Sequence, residues 1–393
     1  MHDPRRLFPV VALCLTFFCA GCHVAEVPPF SAPEDATIDS SDAFIWGEDV
    51  WRVTLPPVQA KTSAIGWSEA VAFTVPEGTT ALQIQLASPA GHVLQLAELV
   101  APDAALVPGN WLKSADQPWL YLGGQERARA SAWQAAFLVP NAPQIAVTPG
   151  AWRLLAFAFD YDPQTEARQP TATTLDVQID LLHKPDIAAG AIDLNLCLTG
   201  ARGITAATAP DHPRVRDALQ VVEQAWGPAG IHVGTVRYFD VSAKALSVTH
   251  DDGADSQLAA LLRLTAGQPP GLPIFLLESV DLQTSSGLVP AAGFTAGLPT
   301  PFAMGGPRTG IALALKYDAP DILGVVMAHE IGHCLGLFHV VEAHAQGETA
   351  IEDRLPDTAP TPDNLMYYAP DPARLQLTAQ QAAVALGGPW VRP

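Results

Sequence analysis

The chain has 393 residues, 49 % hydrophobic and 16 % charged, a balance that excludes a disordered polymer and leaves length for two cores. Forty acidic against 21 basic residues give a formal net charge of -19. That excludes a general nucleic-acid binder, because phosphate contacts need clustered Lys and Arg.

His2 to Arg6 carries positive charge, and Leu7 to Ala20 is an uncharged apolar run, short for a membrane span. It reads as an export signal over residues 1–21. Ala20-Gly21-Cys22 resembles the end of a bacterial lipobox. The resemblance implies lipidation at Cys22 and anchoring to a bacterial membrane, periplasmic or at the cell surface; an ordinary secretory signal is the alternative. Residues 22–41 are rich in Pro, Ser and acids and read as a tether. With Cys22 lipidated, Cys197 and Cys334 remain, either to pair in an oxidising compartment or to stay as two buried thiols.

From about Asp42 to 185 the pattern is of short strands. Ala70 to Val75 is an apolar run stopped by Pro76-Glu77-Gly78, and Ala81 to Leu86 alternates with period two, predicting one buried face. Trp152 to Phe159 and Leu175 to Leu181 follow suit. Without convincing amphipathic helices, this predicts an all-β sandwich. Trp46, Trp51, Trp67, Trp111, Trp119, Trp133 and Trp152 all fall here. Flat rings stack on sugars, so one reading is a carbohydrate- or partner-binding module; the other is that they fill the core. No acid, histidine or nucleophile cluster here has catalytic spacing, which makes the domain accessory.

After Pro185-Asp186 strands and helices alternate. Ile192 to Leu198 is a strand, Pro213 to Trp226 a helix by its apolar spacing, Ile231 to Val241 a strand and Ser256 to Thr265 a helix. Leu272 to Leu277 is a buried strand, and Leu288 to Thr295, with Pro290, suits a sheet edge. Gly310 to Leu315 leads into a last long helix, with Asp318 as cap, Pro320 in its first turn and Asp321 near the positive dipole end. Residues 186–393 therefore read as an α/β (α+β) domain with a mixed twisted sheet.

That helix carries His329-Glu330-Ile331-Gly332-His333-Cys334-Leu335-Gly336-Leu337-Phe338-His339. Positions i and i+4 share a helix face, so His329 and His333 can present imidazoles to one point. Gly336 can end the helix in a left-handed conformation, and the turn beyond can bring His339 round as a third ligand. Three neutral imidazoles with one position left for water is the ligand set of a catalytic zinc, and Glu330 beside it suits a general base.

The stretch resembles the extended zinc signature of the metzincin metallopeptidases. Asn364-Leu365-Met366-Tyr367-Tyr368 is similar to the methionine turn of that family. Asp357-Thr358, Gly293 to Pro299 and Leu377 to Gln381 resemble segments of its pappalysin-like branch over about residues 186–393. The resemblance implies a metzincin-like zincin domain with His329, His333 and His339 on Zn2+, Met366 as an apolar floor and Tyr368 as a donor to the transition-state oxygen. It also implies a calcium site near Asp353, Asp357 and Thr358. The implied function is a zinc endopeptidase that hydrolyses protein or peptide substrates with metal-activated water. The alternative is a surface-anchored protein that binds a carbohydrate or protein partner, its peptidase domain secondary or inactive.

Overall fold

The computed structural model describes residues 50–393 apart from several segments, the longest being 109–133, 296–309 and 342–351. The export signal, the tether, Cys22, Trp46, Trp111, Trp119, Trp133 and the helix-start residues Asp318, Pro320 and Asp321 lie outside the described residues. The described residues are mostly β-sheet with few helices.

Among the described residues the first half holds β1 (Trp51–Thr54), β2 (Val58–Lys61), β3 (Val71–Val75), β4 (Ala81–Ala87), β5 (Val93–Val100), β6 (Ala105–Val107), β7 (Gln134–Val139), β8 (Gly150–Asp162), β9 (Ala167–Pro170) and β10 (Thr174–His183). They form two antiparallel sheets. One runs β1-β10-β4-β7 with β2 also on β10; the other runs β3-β8-β5-β6 with β9 also on β8. Leu82, Ile84 and Leu86 of the first sheet and Trp152 and Leu154 of the second belong to one apolar core. Trp152 is buried, its Nε1 donating to the Thr148 carbonyl at 2.8 Å, so this ring fills the core.

Strand β4 departs from the expected single buried face. Its polar positions Gln83 and Gln85 are buried too, because Gln85 donates to Asp180 Oδ2 at 2.8 Å. Thr54 donates to the other carboxylate oxygen at 2.7 Å, giving a polar layer beside the apolar one.

The second half holds β11 (Gly190–Leu198), α1 (Pro213–Trp226), β12 (Ile231–Asp240), β13 (Ala245–Val248), α2 (Gln257–Arg263), β14 (Leu272–Leu277), β15 (Ser279–Thr284), β16 (Gly287–Ala291), β17 (Gly293–Thr295), β18 (Ile311–Ala314), α3 (Ile322–Cys334) and α4 (Ala379–Gly387). The main sheet runs β12-β11-β14-β18-β17. Its first four strands are parallel, and β17 pairs antiparallel at the edge. A separate sheet, β13-β15-β16, was not expected. It splits the single edge strand read over Leu288 to Thr295: the chain leaves one sheet after Ala291 and joins the other at Gly293. Pro290 sits opposite Asp281 on the outer strand of the small sheet, where a missing N–H costs no ladder bond.

The two halves share one apolar cluster, which reaches from Val53 to Val391. Lys184, just past β10, is buried and its ammonium donates to the carbonyls of Leu386, Gly388 and Val391, the last two at 2.9 Å. The carbonyls orphaned at the end of α4 therefore find their donor in the other half of the chain. Cys197 and Cys334 are both buried and are not joined in a disulfide. Burial pushes the Cys197 thiol up to about 11, which keeps it protonated and inert.

Candidate metal centre

Helix α3 is buried around its whole circumference, every residue from Leu323 to Cys334 included. Helix α1 covers one side. Gly324 permits the approach, since a Cβ there would stand 2.6 Å from Val221 Cβ, and Trp226 Nε1 donates to the Ala328 carbonyl at 3.1 Å. The helix then ends in a Schellman turn. The Gly336 amide donates to the His333 carbonyl at 3.1 Å, the Leu337 amide donates to the Gly332 carbonyl at 2.9 Å, and Gly336 takes φ 94°. This reversal carries His339 back over the helix face.

His329, His333 and His339 are buried together, with one ring nitrogen of each within 4.8 Å of the others. Ring centroids are 4.7–4.9 Å apart, and the Nε2 atoms of His329 and His339 are 3.0 Å apart. Backbone carbonyls assign the tautomers. Nδ1 of His329 is 2.7 Å from the Leu365 oxygen and Nδ1 of His333 is 2.8 Å from the Leu337 oxygen. A carbonyl only accepts, so each Nδ1 carries the hydrogen and each Nε2 keeps its lone pair for a cation. Three imidazoles converging on one buried point fit a bound metal ion, and the carbonyls on His329 and His333 are the outer support that ligating histidines need.

Met366 is fully buried against α3 at Gly332, where a Cβ would collide with its sulfur and stand 3.0 Å from its methyl carbon. The turn is fixed from behind. Asn364 and Gln381 exchange amide hydrogen bonds at 2.8 and 3.1 Å, and Asn364 Oδ1 accepts from the Met366 amide at 2.8 Å. Gln381 also closes the capping box of α4 with Thr378. The last helix, the methionine turn and the Leu365 carbonyl on His329 are thus one connected unit. Tyr368 is 41 % exposed, its ring 4.5 Å from that of Tyr367. A hydrogen bond to Tyr368 pushes the Tyr367 phenol above its ordinary pKa.

Glu330 is buried next to His329 and accepts a hydrogen bond from the Thr295 hydroxyl, 2.6 Å from Oε2. Sequence reasoning missed Thr295, because nothing local marks a strand hydroxyl that meets a helix 35 residues later.

Two carboxylate oxygens of the acidic loop are taken up by hydrogen bonds within the protein. Asp353 Oδ1 accepts from the Leu355 amide at 3.2 Å and from the Thr358 hydroxyl, and Asp357 Oδ2 accepts from the Gln380 amide at 3.0 Å in the first turn of α4. Asp353 Oδ2 is buried with no hydrogen-bond partner among the described residues, and burial pushes the Asp353 pKa up to about 6. A folded pKa above the unfolded one stabilises the protonated form, so this contribution is full below about pH 4 and is lost as pH rises through about 6. Asp353→Asn cannot ionise. Relative to the parent it should gain on the order of 1–3 kcal/mol between about pH 4.5 and pH 7.5, read from urea midpoints. Equal shifts at both pH values would show that burial of the charge is not the cause.

No family model matches the chain, and no curated protein matches it. Among solved structures, metalloproteinase-II from Bacteroides fragilis is similar at a TM-score of 0.28 and 18 % identity, over 48 % of this chain and 50 % of that one. A chaperone–substrate complex is similar at 0.30 and 14 %, over 59 % of this chain and 38 % of that one. The protein thus spans half the first neighbour's length and less of the second's, and likenesses this weak bear on neither fold nor chemistry. The functional reading rests on the site's own residues.

Proposed function

We propose that the chain is a zinc-dependent endopeptidase of metzincin type, close to the pappalysin-like branch. The observation that carries this is the buried triad His329, His333 and His339, the first two with carbonyl-assigned tautomers, and Glu330 alongside. Three histidines and no thiolate suit zinc in a hydrolytic role better than in a structural one. A bound zinc would polarise the scissile carbonyl and make a water acidic enough to lose a proton near neutral pH. Glu330 takes that proton and returns it to the leaving amine. Edge strand β17 offers backbone groups to align an extended peptide, and Tyr368 donates to the developing oxyanion.

In this reading residues 42–185 are an accessory sandwich and 186–393 the catalytic domain. The protein is exported and held to a membrane by lipid on Cys22. No helix among the described residues is long and apolar enough to cross a membrane. The loop of Asp353, Asp357 and Thr358 is the calcium candidate, where a cation would compensate the buried Asp353 charge.

The experiment is metal analysis and cleavage of a denatured protein by the full chain. We expect zinc near one per chain, cleavage lost on chelation and cleavage restored by zinc. A zinc-loaded chain that cleaves no denatured protein or peptide library would end the proposal.

A further inference from the structure

Strand β17 presents two positions to Glu330. Alternation puts residues 293 and 295 on one face and Phe294 on the other, where it packs on the smaller apolar cluster of Phe275 and Ala312. At 293 a Cβ would stand 2.6 Å from Val326 Cγ1 and 3.0 Å from both Cγ and Oε1 of Glu330, so any side chain there would displace the carboxylate. At 295 the buried hydroxyl lies 2.6 Å from Glu330 Oε2 and 3.0 Å from the Glu330 backbone oxygen. A hydroxyl has one hydrogen, and the shorter contact to the carboxylate is the stronger one.

We propose that Thr295 is the positioning residue for Glu330, with Gly293 as the clearance that lets the carboxylate lie against the strand. This rests on the reading of Glu330 as general base. A glutamate has three side-chain torsions to order, and a hydroxyl fixed on the sheet orders them before substrate arrives. The same contact ties the base to the strand offered to the substrate, so base and peptide share one frame. Removing it should slow proton transfer without weakening substrate or metal binding.

Two variants of the full chain test this. Thr295→Val keeps the branched shape and loses the donor; Thr295→Ser keeps the donor. With zinc per chain unchanged, Val should lower kcat about ten- to a hundred-fold, the range typical when a supporting hydrogen bond at such a site is lost. KM should move by no more than about twofold, and Ser should recover most of the rate. Crystal structures of the metal-free proteins give a second readout, with Glu330 in one rotamer in the parent and the Ser variant and in several, or in a different one, in the Val variant. An active parent beside a Val variant of unchanged kcat overturns the role of Thr295 alone, as does a Ser variant as impaired as Val. A zinc-loaded parent without activity overturns the peptidase reading and this one with it.

Discussion

Glu330→Gln should keep its metal and lower kcat for peptide hydrolysis by about 10²–10⁴-fold, the usual contribution of a positioned acid–base group. The amide has the shape of the carboxylate and its carbonyl oxygen can still accept from Thr295, so helix and strand keep their contact. What the amide lacks is basicity. Metal binding should survive because His329 and His333 are held by the carbonyls of Leu365 and Leu337, which the substitution leaves alone. Zinc analysis beside kcat measures both halves. A Gln variant at the full rate would remove Glu330 from the chemistry, and one that loses zinc would mean that the carboxylate helps to build the site.

Lys184→Met should destabilise the protein by about 2–4 kcal/mol, because three carbonyls lose a buried donor at once and each unsatisfied group costs about 1–3 kcal/mol when it finds no water. Burial lowers the Lys184 pKa to about 7. The three acceptors favour the ammonium and oppose that shift. Methionine fills a comparable volume, so the loss reports the hydrogen bonds more than a cavity. The contacts fall on the last turn of α4 and on the residues just beyond it, and α4 holds the methionine turn through Gln381 and Asn364. The loss should therefore appear in zinc affinity as well as in the urea midpoint. A variant with an unchanged midpoint would show the clasp to be ornamental.

The histidine cluster was legible in the sequence because its geometry is local. Two histidines four apart, a glycine three further on and a third histidine three beyond that are set by helix and turn geometry, and the described structure keeps all of them in one pocket. The floor at Met366 was legible through the resemblance of its turn. Other features were hidden for one physical reason: their partners are distant in the chain. Thr295 under Glu330, the Asn364–Gln381 pair and the Lys184 clasp join segments whose spacing carries no pattern. Helix α1 was readable to its last residue from apolar periodicity, whereas α3 has no exposed face and was visible through its motif and start signals. In the first half of the chain, alternation misled at β4, where the buried Gln85 meets Asp180 rather than water. The split of the expected edge strand into β16 and β17 escaped because a change of sheet at Ala292 leaves no mark in hydrophobicity.

The turn after α3 has a consequence for how this site can vary. The carbonyls of Gly332 and His333 close the turn, and the Leu337 oxygen then orients the His333 ring. Gly336 has a second obligation, since a Cβ there would stand 2.7 Å from Leu138 of β7. The stretch therefore behaves like a ratchet with fixed teeth. Its length can neither grow nor shrink by a residue without turning a histidine out of the pocket, and its glycine is gripped from both halves of the chain. Tuning of this centre has to come from outside the ratchet, through the edge strand that holds Glu330 and the amide pair behind Met366.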